Sequence, residues 1–487
     1  MTSVRAIFCI TLLIWLTSTP PLQAGEIRLP SLGGDPSDSI LSPEQEQLLG
    51  DAFMRSLREQ LTIIEQPEIE HYIQTMGRRL ALQSSGGTRS FEFFVVDNRS
   101  INAFAGPAGV IGIHSGLIEM AESEGELAAV LAHEIAHVSQ RHLMRRLESQ
   151  QNLPIPAIAT ILATVVAASA SPQAGEAVAA TATGLSLQRQ INFTRSNERE
   201  ADRIGMQILH SAGYDPSNMP AFFRRLQQAN RHSGESLPEY LRTHPLTLSR
   251  VADAESRAAQ FPPQQELDSG EFFLIRQILH INRMRNPELT IRNYRTQLEE
   301  NRNPATQERL QFGYGLALLK ADLPKQALRE LLPLQQRHPD QPTLAIATAR
   351  ARAATGAMDE ALYLVQQLHN LYPSHLPLIL SHADLLLQNG QPGAAAHLLE
   401  QGIATLPDSP ELYKKQATAY AMANHQARSH LAQAHYHFLM TETKSALSQL
   451  DYAERAAREN RSNFIIFSTI DARRLSYEKM EEREKAL

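Results

Sequence analysis

Glu126-Leu127-Ala128-Ala129-Val130-Leu131-Ala132-His133-Glu134-Ile135-Ala136-His137 decides how this chain is read. Glutamate, leucine and alanine are strong helix formers, so a helix is predicted from Gly125 to about Leu147. Residues four apart on a helix share a face. His133 and His137 can therefore point their imidazoles at one ion, with Glu134 beside them to take a proton from water. The bland alternative is a surface helix with two satisfied histidines.

A catalytic zinc takes three protein ligands and keeps one position open. The only cysteine is Cys9, inside the N-terminal apolar run, so the third ligand is expected from histidine or carboxylate. Asn197-Glu198-Arg199-Glu200-Ala201-Asp202 offers it, on a helix predicted from Asn197 to His210. Glu198 and Asp202 are four apart. Glu198 would bind the metal, and Asp202 would accept the spare N–H of a ligand histidine and fix its tautomer. Glu200 lies about 200° around the helix from Glu198 and cannot share that task. His142, about 140° off the ligand face, reads as structural or exposed. Without the first helix, the Glu198–Asp202 pair would be an ordinary solvated face.

The His133–His137 motif followed by the Glu198–Asp202 helix resembles the gluzincin metallopeptidases of the HtpX, Oma and CAAX-prenyl-protease family. Asn102-Ala103-Phe104-Ala105, leading into Gly106-Pro107, resembles the segment at that family's substrate-side edge. Thr243-His244-Pro245 with Arg250 resembles its third block. The resemblance implies that His133, His137 and Glu198 hold a single zinc ion, that Glu134 is the general base, and that Asp202 stands behind the ligands. It places His244 and Arg250 near the open coordination position. There His244 either stabilises the oxyanion or fills the fourth position and holds the enzyme silent; alternatively it is a loop histidine before a proline. An extended substrate would add as a strand along the edge near Asn102–Ala108.

Around this core, helices are expected near 44–60 and 67–84, and strands over Ser90–Asp97 and Ala108–His114. Segment 154–184, rich in alanine and threonine and almost uncharged, leaves three readings open. It is a buried helix, a lid beside the site, or a surface for a membrane or hydrophobic client.

The C-terminal half repeats every 34 residues: Ala327, Ala361 and Ala395 keep that spacing, as do Pro339, Pro373 and Pro407, and Gly315, Ala349, Ala383 and Ala417. Small residues let two helices approach closely, and proline stops the second. These units resemble tetratricopeptide (TPR) repeats and are clear over 308–341, 342–375 and 376–409. A degenerate unit is expected over 270–304, and a capping helix over 463–485. The alternative is an unrelated bundle with chance spacing. A TPR solenoid presents a concave face for protein or peptide.

The expected fold is an α+β zincin-type metallopeptidase domain, mostly helical with a small sheet, followed by an all-α TPR solenoid. The expected divisions are a signal peptide over 1–24, a leader over 25–43, the peptidase over 44–265 and the repeats over 270–487. Arg5, the apolar run Ala6–Leu16 and Leu22-Gln23-Ala24 read as an export signal cleaved after about Ala24. The apolar run is shorter than the roughly 20 residues of a spanning helix, which disfavours the alternative of an uncleaved anchor. The net charge of -6 excludes a basic footprint for nucleic acid.

Export signal, peptidase and repeats together resemble the periplasmic, TPR-bearing members of the family. That implies clients among unfolded or misassembled outer-membrane proteins and contact with the beta-barrel assembly machinery through the repeats; peripheral membrane contact stays open. The rival reading is a TPR chaperone or adaptor whose metal site is latent or vestigial.

Overall fold

Proline opens both leading helices, α1 (Pro43–Gln60) and α2 (Pro67–Ala81), where its missing N–H leaves nothing unsatisfied. Each buries one stripe at helical spacing: Leu49, Phe53 and Leu57 on α1; Ile69, Ile73, Met76 and Leu80 on α2. The computed structural model describes residues 41–85, 90–148, 157–160, 162, 166, 194–232, 238–264, 270–459 and 464–485. The export signal and leader lie outside these residues. So does nearly all of 154–184, of which Ile158, Leu162 and Val166 are buried.

The sheet has three strands in the order β1 (Glu92–Val96), β3 (Val110–His114), β2 (Ala103–Ala105). β1 and β3 run parallel; β2 runs antiparallel to β3 at the edge, with Ala103 opposite Ile113 and Ala105 opposite Ile111. Only two strands were expected. The third, β2, is too short for periodicity to reveal. β3 starts two residues later than expected because Pro107–Gly109 form a tight turn with Ala108 at φ 54 and Gly109 at φ 79.

The named helices that follow in this half are α3 (Ser115–Met120), α4 (Glu124–Ser139), α5 (His142–Glu148), α6 (Arg195–Ser211), α7 (Asn218–His232), α8 (Glu239–Thr243) and α9 (Leu248–Ala258). Ser123 caps α4 by accepting from the Glu126 N–H at 3.1 Å. Every residue from Glu124 to Val138 is buried, so α4 is the central helix of this half. The single helix expected from Gly125 to Leu147 is broken, because Arg141 takes φ 53 between α4 and α5. α6 lies close against α4 at Gly205, where a Cβ would stand 3.2 Å from the His133 nitrogen.

Two further helices, α10 (Glu271–Asn282) and α11 (Pro287–Glu300), precede the regular pairs. Those pairs are Pro304–Lys320 with Pro324–Arg337, Pro342–Ala354 with Met358–Leu371, Leu376–Gln388 with Pro392–Thr405, and Pro410–Met422 with Gln426–Leu439. Pro339, Pro373 and Pro407 each stand two residues past the end of a second helix. Ala327, Ala349, Ala361, Ala383 and Ala395 are fully buried, and a Cβ on Gly315 would meet the Leu331 side chain at 2.6 Å. The period is thus a packing period. Thr443–Glu459 and Phe464–Lys485 close the series.

Residues 43–487 form one unit, and the repeats pack directly on the first half. One core runs from Ile69, Ile73 and Leu131 through Phe272, Ile275 and Phe312 to Ala351. Arg350 meets Glu68 at 2.9 Å, and the His71 and His375 rings lie 4.3 Å apart. On α1, Arg55 and Arg58 donate to the carbonyls of Thr441 and Met440, both at 3.1 Å, at the end of helix Gln426–Leu439. Cations are favourable at a helix C-terminus. The boundary expected near 265–270 falls at residues outside those described.

Glu271 sits at this junction and accepts from Gln341 and Thr343. Burial pushes its carboxyl up to about 7, against the Thr343 hydrogen bond, with Glu68 and Glu124 adding repulsion. A raised acid stabilises the fold below its unfolded pKa, and that contribution is lost as pH rises through about 7. Glu271→Gln stays neutral throughout. It should stabilise the protein by about 1–3 kcal/mol at about pH 8 and not at about pH 5. Urea melts at both pH values check this; an equal difference at both contradicts it.

Candidate metal centre

α4 brings His133, Glu134 and His137 to one buried point, and α6 brings Glu198 and Asp202 to meet them. Thr194 caps α6 by accepting from the Asn197 N–H at 3.2 Å, which fixes where Glu198 falls on the first turn. The loop after α8 supplies His244, and α9 supplies Arg250.

One donor atom from each of His133, His137, Glu198 and His244 lies within 4.8 Å of all the others. The two ligand-helix imidazoles face each other with Nε2 atoms 3.0 Å apart. Glu198 reaches both: Oε2 is 3.5 Å from His133 Nε2, and Oε1 is 3.4 Å from His137 Nε2. His244 Nδ1 lies 3.1 Å from Glu198 Oε1, and its Nε2 lies 3.6 Å from Glu134 Oε1. Both oxygens of Glu134 are buried without a hydrogen-bond partner among the described residues.

The outer groups orient the inner ones. His133 Nδ1 faces Asp202 Oδ1 at 3.0 Å, so the imidazole turns Nε2 towards the centre. Arg250 grips Asp202 with Nε and Nη2, both at 2.8 Å, and places Nη1 2.8 Å from Glu198 and from the Pro245 carbonyl. Arg250 is therefore a clamp on two carboxylates, while His244 is the group that stands at the centre. Burial works to raise Glu198, but the His244 and His133 imidazoles hold its carboxyl far below the ordinary range. Burial works to lower His133, yet the Asp202 and Glu198 carboxylates beside it push it up to about 10.

These residues fit a divalent cation. Three buried carboxylates (Glu134, Glu198 and Asp202) face one guanidinium, so with neutral imidazoles the formal charge is negative by two. Imidazole nitrogen and carboxylate oxygen without thiolate suit zinc.

Two elements escaped the sequence reading. His142 is fully buried, with Nδ1 2.9 Å from His137 Nδ1 and Nε2 3.1 Å from Glu200 Oε2. If His137 turns Nε2 inward, its Nδ1–H donates to His142, whose Nε2–H donates to Glu200. The helical angle that put His142 off the ligand face does not apply, because Arg141 breaks the helix just before it. No glycine or proline marks that break. Partners of metal-binding histidines tune affinity, so His142→Ala should weaken metal binding about 10–100-fold in a chelator competition. An unchanged affinity would show that this pair is only packing. The second is Tyr240, whose ring stacks on His244 at 4.7 Å and 24°.

Ala103–Ala105 form the edge strand β2, with Asn102 just before it. Asn102 and Gly106 turn their main-chain groups towards β3, through His114 N–H to the Asn102 carbonyl at 2.9 Å and Gly106 N–H to the Val110 carbonyl at 2.7 Å. By antiparallel alternation, Ala103 and Ala105 turn theirs outward. A small cavity lies between Ala105, Gly106 and Pro107 on one side and His137 and Val138 on the other. The outer edge of β2 thus runs beside the histidine cluster.

Residues 67–258 match the model of peptidase family M48, and residues 352–419 match a tetratricopeptide repeat model. The chain is similar to the beta-barrel assembly-enhancing protease of Escherichia coli O157:H7, at 35% identity over 430 residues, 87% of this chain and 86% of that one. It is similar to the putative beta-barrel assembly-enhancing protease of Vibrio cholerae, at 44% over 258 residues, 52% of this chain and 53% of that one. The mitochondrial metalloendopeptidase OMA1 of Arabidopsis thaliana is 34% identical over 156 residues, 32% of this chain and 29% of its own.

Proposed function

The chain belongs to the family of beta-barrel assembly-enhancing proteases, M48 zinc metalloendopeptidases with TPR repeats, and from that membership we propose that it cleaves outer-membrane proteins that have failed to fold. The observation that carries the site assignment is the meeting of donor atoms from His133, His137 and Glu198 within 4.8 Å of one another, with both Glu134 oxygens buried beside them and making no hydrogen bond among the described residues. These three residues would hold the zinc. When bound, zinc supplies Lewis acidity towards a water molecule and the scissile carbonyl.

The remaining steps belong to the chain's own residues. Glu134 takes the proton of the attacking water as its oxygen bonds to the carbonyl carbon, then delivers that proton to the amide nitrogen as the C–N bond breaks. Asp202 and Arg250 hold His133 and Glu198 in orientation. The substrate would pair along the outer side of β2 at Ala105, which is half-buried, whereas Ala103 is fully buried. A strand not yet paired in a barrel offers matching groups, whereas a closed barrel has no edge. Residues 44–265 would form the peptidase and 270–487 the client-binding repeats. The site of action would be the periplasm, with the assembly machinery as a partner of the repeats. Among the described residues no helix is long and apolar enough to cross a membrane.

A second reading is favoured by the place of His244, which stands with the ligands. With His244 in the fourth position the peptidase is silent, and binding by the repeats is the resting activity. The test is cleavage of a urea-unfolded outer-membrane porin by the purified chain. Cleavage that a chelator stops, with the folded porin spared, supports the proposal. Cleavage seen only after His244→Ala supports the latent reading, and none in either protein overturns the peptidase assignment.

A further inference from the structure

The series of repeats ends on an open groove. Helix Phe464–Lys485 forms one wall, helix Gln426–Leu439 forms the other, and a cavity of about 550 Å³ lies between them. Phe438 and Tyr477 stack along it at 4.2 Å and 14°. Phe464 and Ile465 at its rim are 83% and 69% exposed, and Leu475 on the same helix is 62% exposed. The last unit of a solenoid ordinarily turns a polar face outward, because nothing follows to cover it. Here the outward face is apolar instead.

Three polar groups of this groove already have partners. Thr469 Oγ1 donates to the Ile465 carbonyl at 2.8 Å within its own helix, which leaves its methyl group to the groove. Arg473 donates Nη1 to the Leu431 carbonyl at 2.7 Å and lays its apolar stem along the wall. His435 Nδ1 and the Tyr477 hydroxyl pair at 2.8 Å. Both walls are helices, so neither offers a free main-chain edge. An extended chain laid there would bury N–H and C=O groups unpaired, whereas a helix pairs its own. The groove therefore suits a helix with an apolar stripe.

The terminal helix itself carries the matching stripe. Ile465, Thr469, Ala472 and Ser476 follow one another at spacings of four, three and four, and all of them line the groove. That spacing keeps a seam against a partner helix. In an antiparallel pair turned about a two-fold axis between Ile470 and Asp471, Ile465 of one copy stands over Ser476 of the other, and Thr469 over Ala472. Phe464 then faces the other copy's Tyr477, ring against ring. We propose that this groove docks a second copy of the chain, last helix against last helix, in an antiparallel two-fold dimer. Each terminal helix lies in the other copy's groove, with Phe438 beside it. Three large side chains from each copy, with the groove walls, bury on the order of 1,000 Å². That is the lower end for a specific interface, so association in the micromolar range is expected.

The test is sedimentation equilibrium of the full zinc-loaded chain from low to high micromolar concentration. The mass should climb from one chain towards two. Ala472→Arg and Ile465→Ser, both at exposed positions, should each hold it at one chain with the melting temperature of the dilute protein unchanged. Disulfide linkage tests the pairing separately, in a chain whose only cysteine is removed by Cys9→Ser. Ile465→Cys with Ser476→Cys puts the two thiols roughly 16 Å apart along one helix, too far to bridge within a chain. Oxidation should link two copies through that pair, and Ile465→Cys alone should not link them. Linkage through Ile465→Cys alone means parallel helices and overturns the pairing. A mass of one chain at every concentration overturns the dimer and leaves the groove to a helix of another protein. A dimer that survives both Ala472→Arg and Ile465→Ser overturns the seam.

Discussion

Glu134→Gln lowers kcat by about 10²–10⁴-fold while zinc content stays unchanged and thermal stability stays equal or rises. The two halves of this expectation come from one observation. Both Glu134 oxygens are buried without a hydrogen bond among the described residues, with only His244 Nε2 near, at 3.6 Å from Oε1. An amide of the same shape is cheaper to bury than a charge. Function then explains why the carboxylate is kept, since only it can take and return the proton. Steady-state peptidase assays and a melting curve on the same preparations check both halves. Loss of zinc, or a large fall in melting temperature, would show that Glu134 holds the fold or the ion instead.

Arg250→Ala destabilises the protein by about 3–5 kcal/mol, because removing one partner leaves buried charge uncompensated. Here two carboxylates lose their guanidinium and keep only imidazole partners, Asp202 losing two hydrogen bonds at 2.8 Å and Glu198 one contact at 2.8 Å. Zinc should recover part of the loss, since the ion compensates Glu198 but not Asp202. Lysine should not rescue the variant, as one ammonium cannot reproduce the planar fork across both carboxylates. Denaturant unfolding of apo and zinc-loaded protein measures these terms. A cost below about 1 kcal/mol would place Arg250 among ordinary surface ion pairs and contradict its role as a clamp.

The sequence reading succeeded where spacing alone dictates geometry. His133 with His137, and Glu198 with Asp202, need only the helical repeat to share a face, and the 34-residue alternation of small residues and prolines needs only helix packing. It fell short where neighbours in space are far apart in sequence. That Arg250 clamps the carboxylates on α6 could not be read, because nothing in its local sequence says which way α9 approaches. His142 needed the break at Arg141 to turn inward. β2 spans three residues and exists as a strand only because β3 is beside it. Nor does any spacing show that the repeats share a core with α2, which the contacts of Glu68 with Arg350 and of His71 with His375 make plain.

If His133, His137 and Glu198 hold one zinc ion, metal analysis of the purified chain beside Glu198→Ala shows it. The expected result is a single zinc per chain in the parent protein and its loss in the variant, with helical content retained. A parent without zinc, or a variant that keeps it undiminished, would contradict the assignment and shift the function to the repeats.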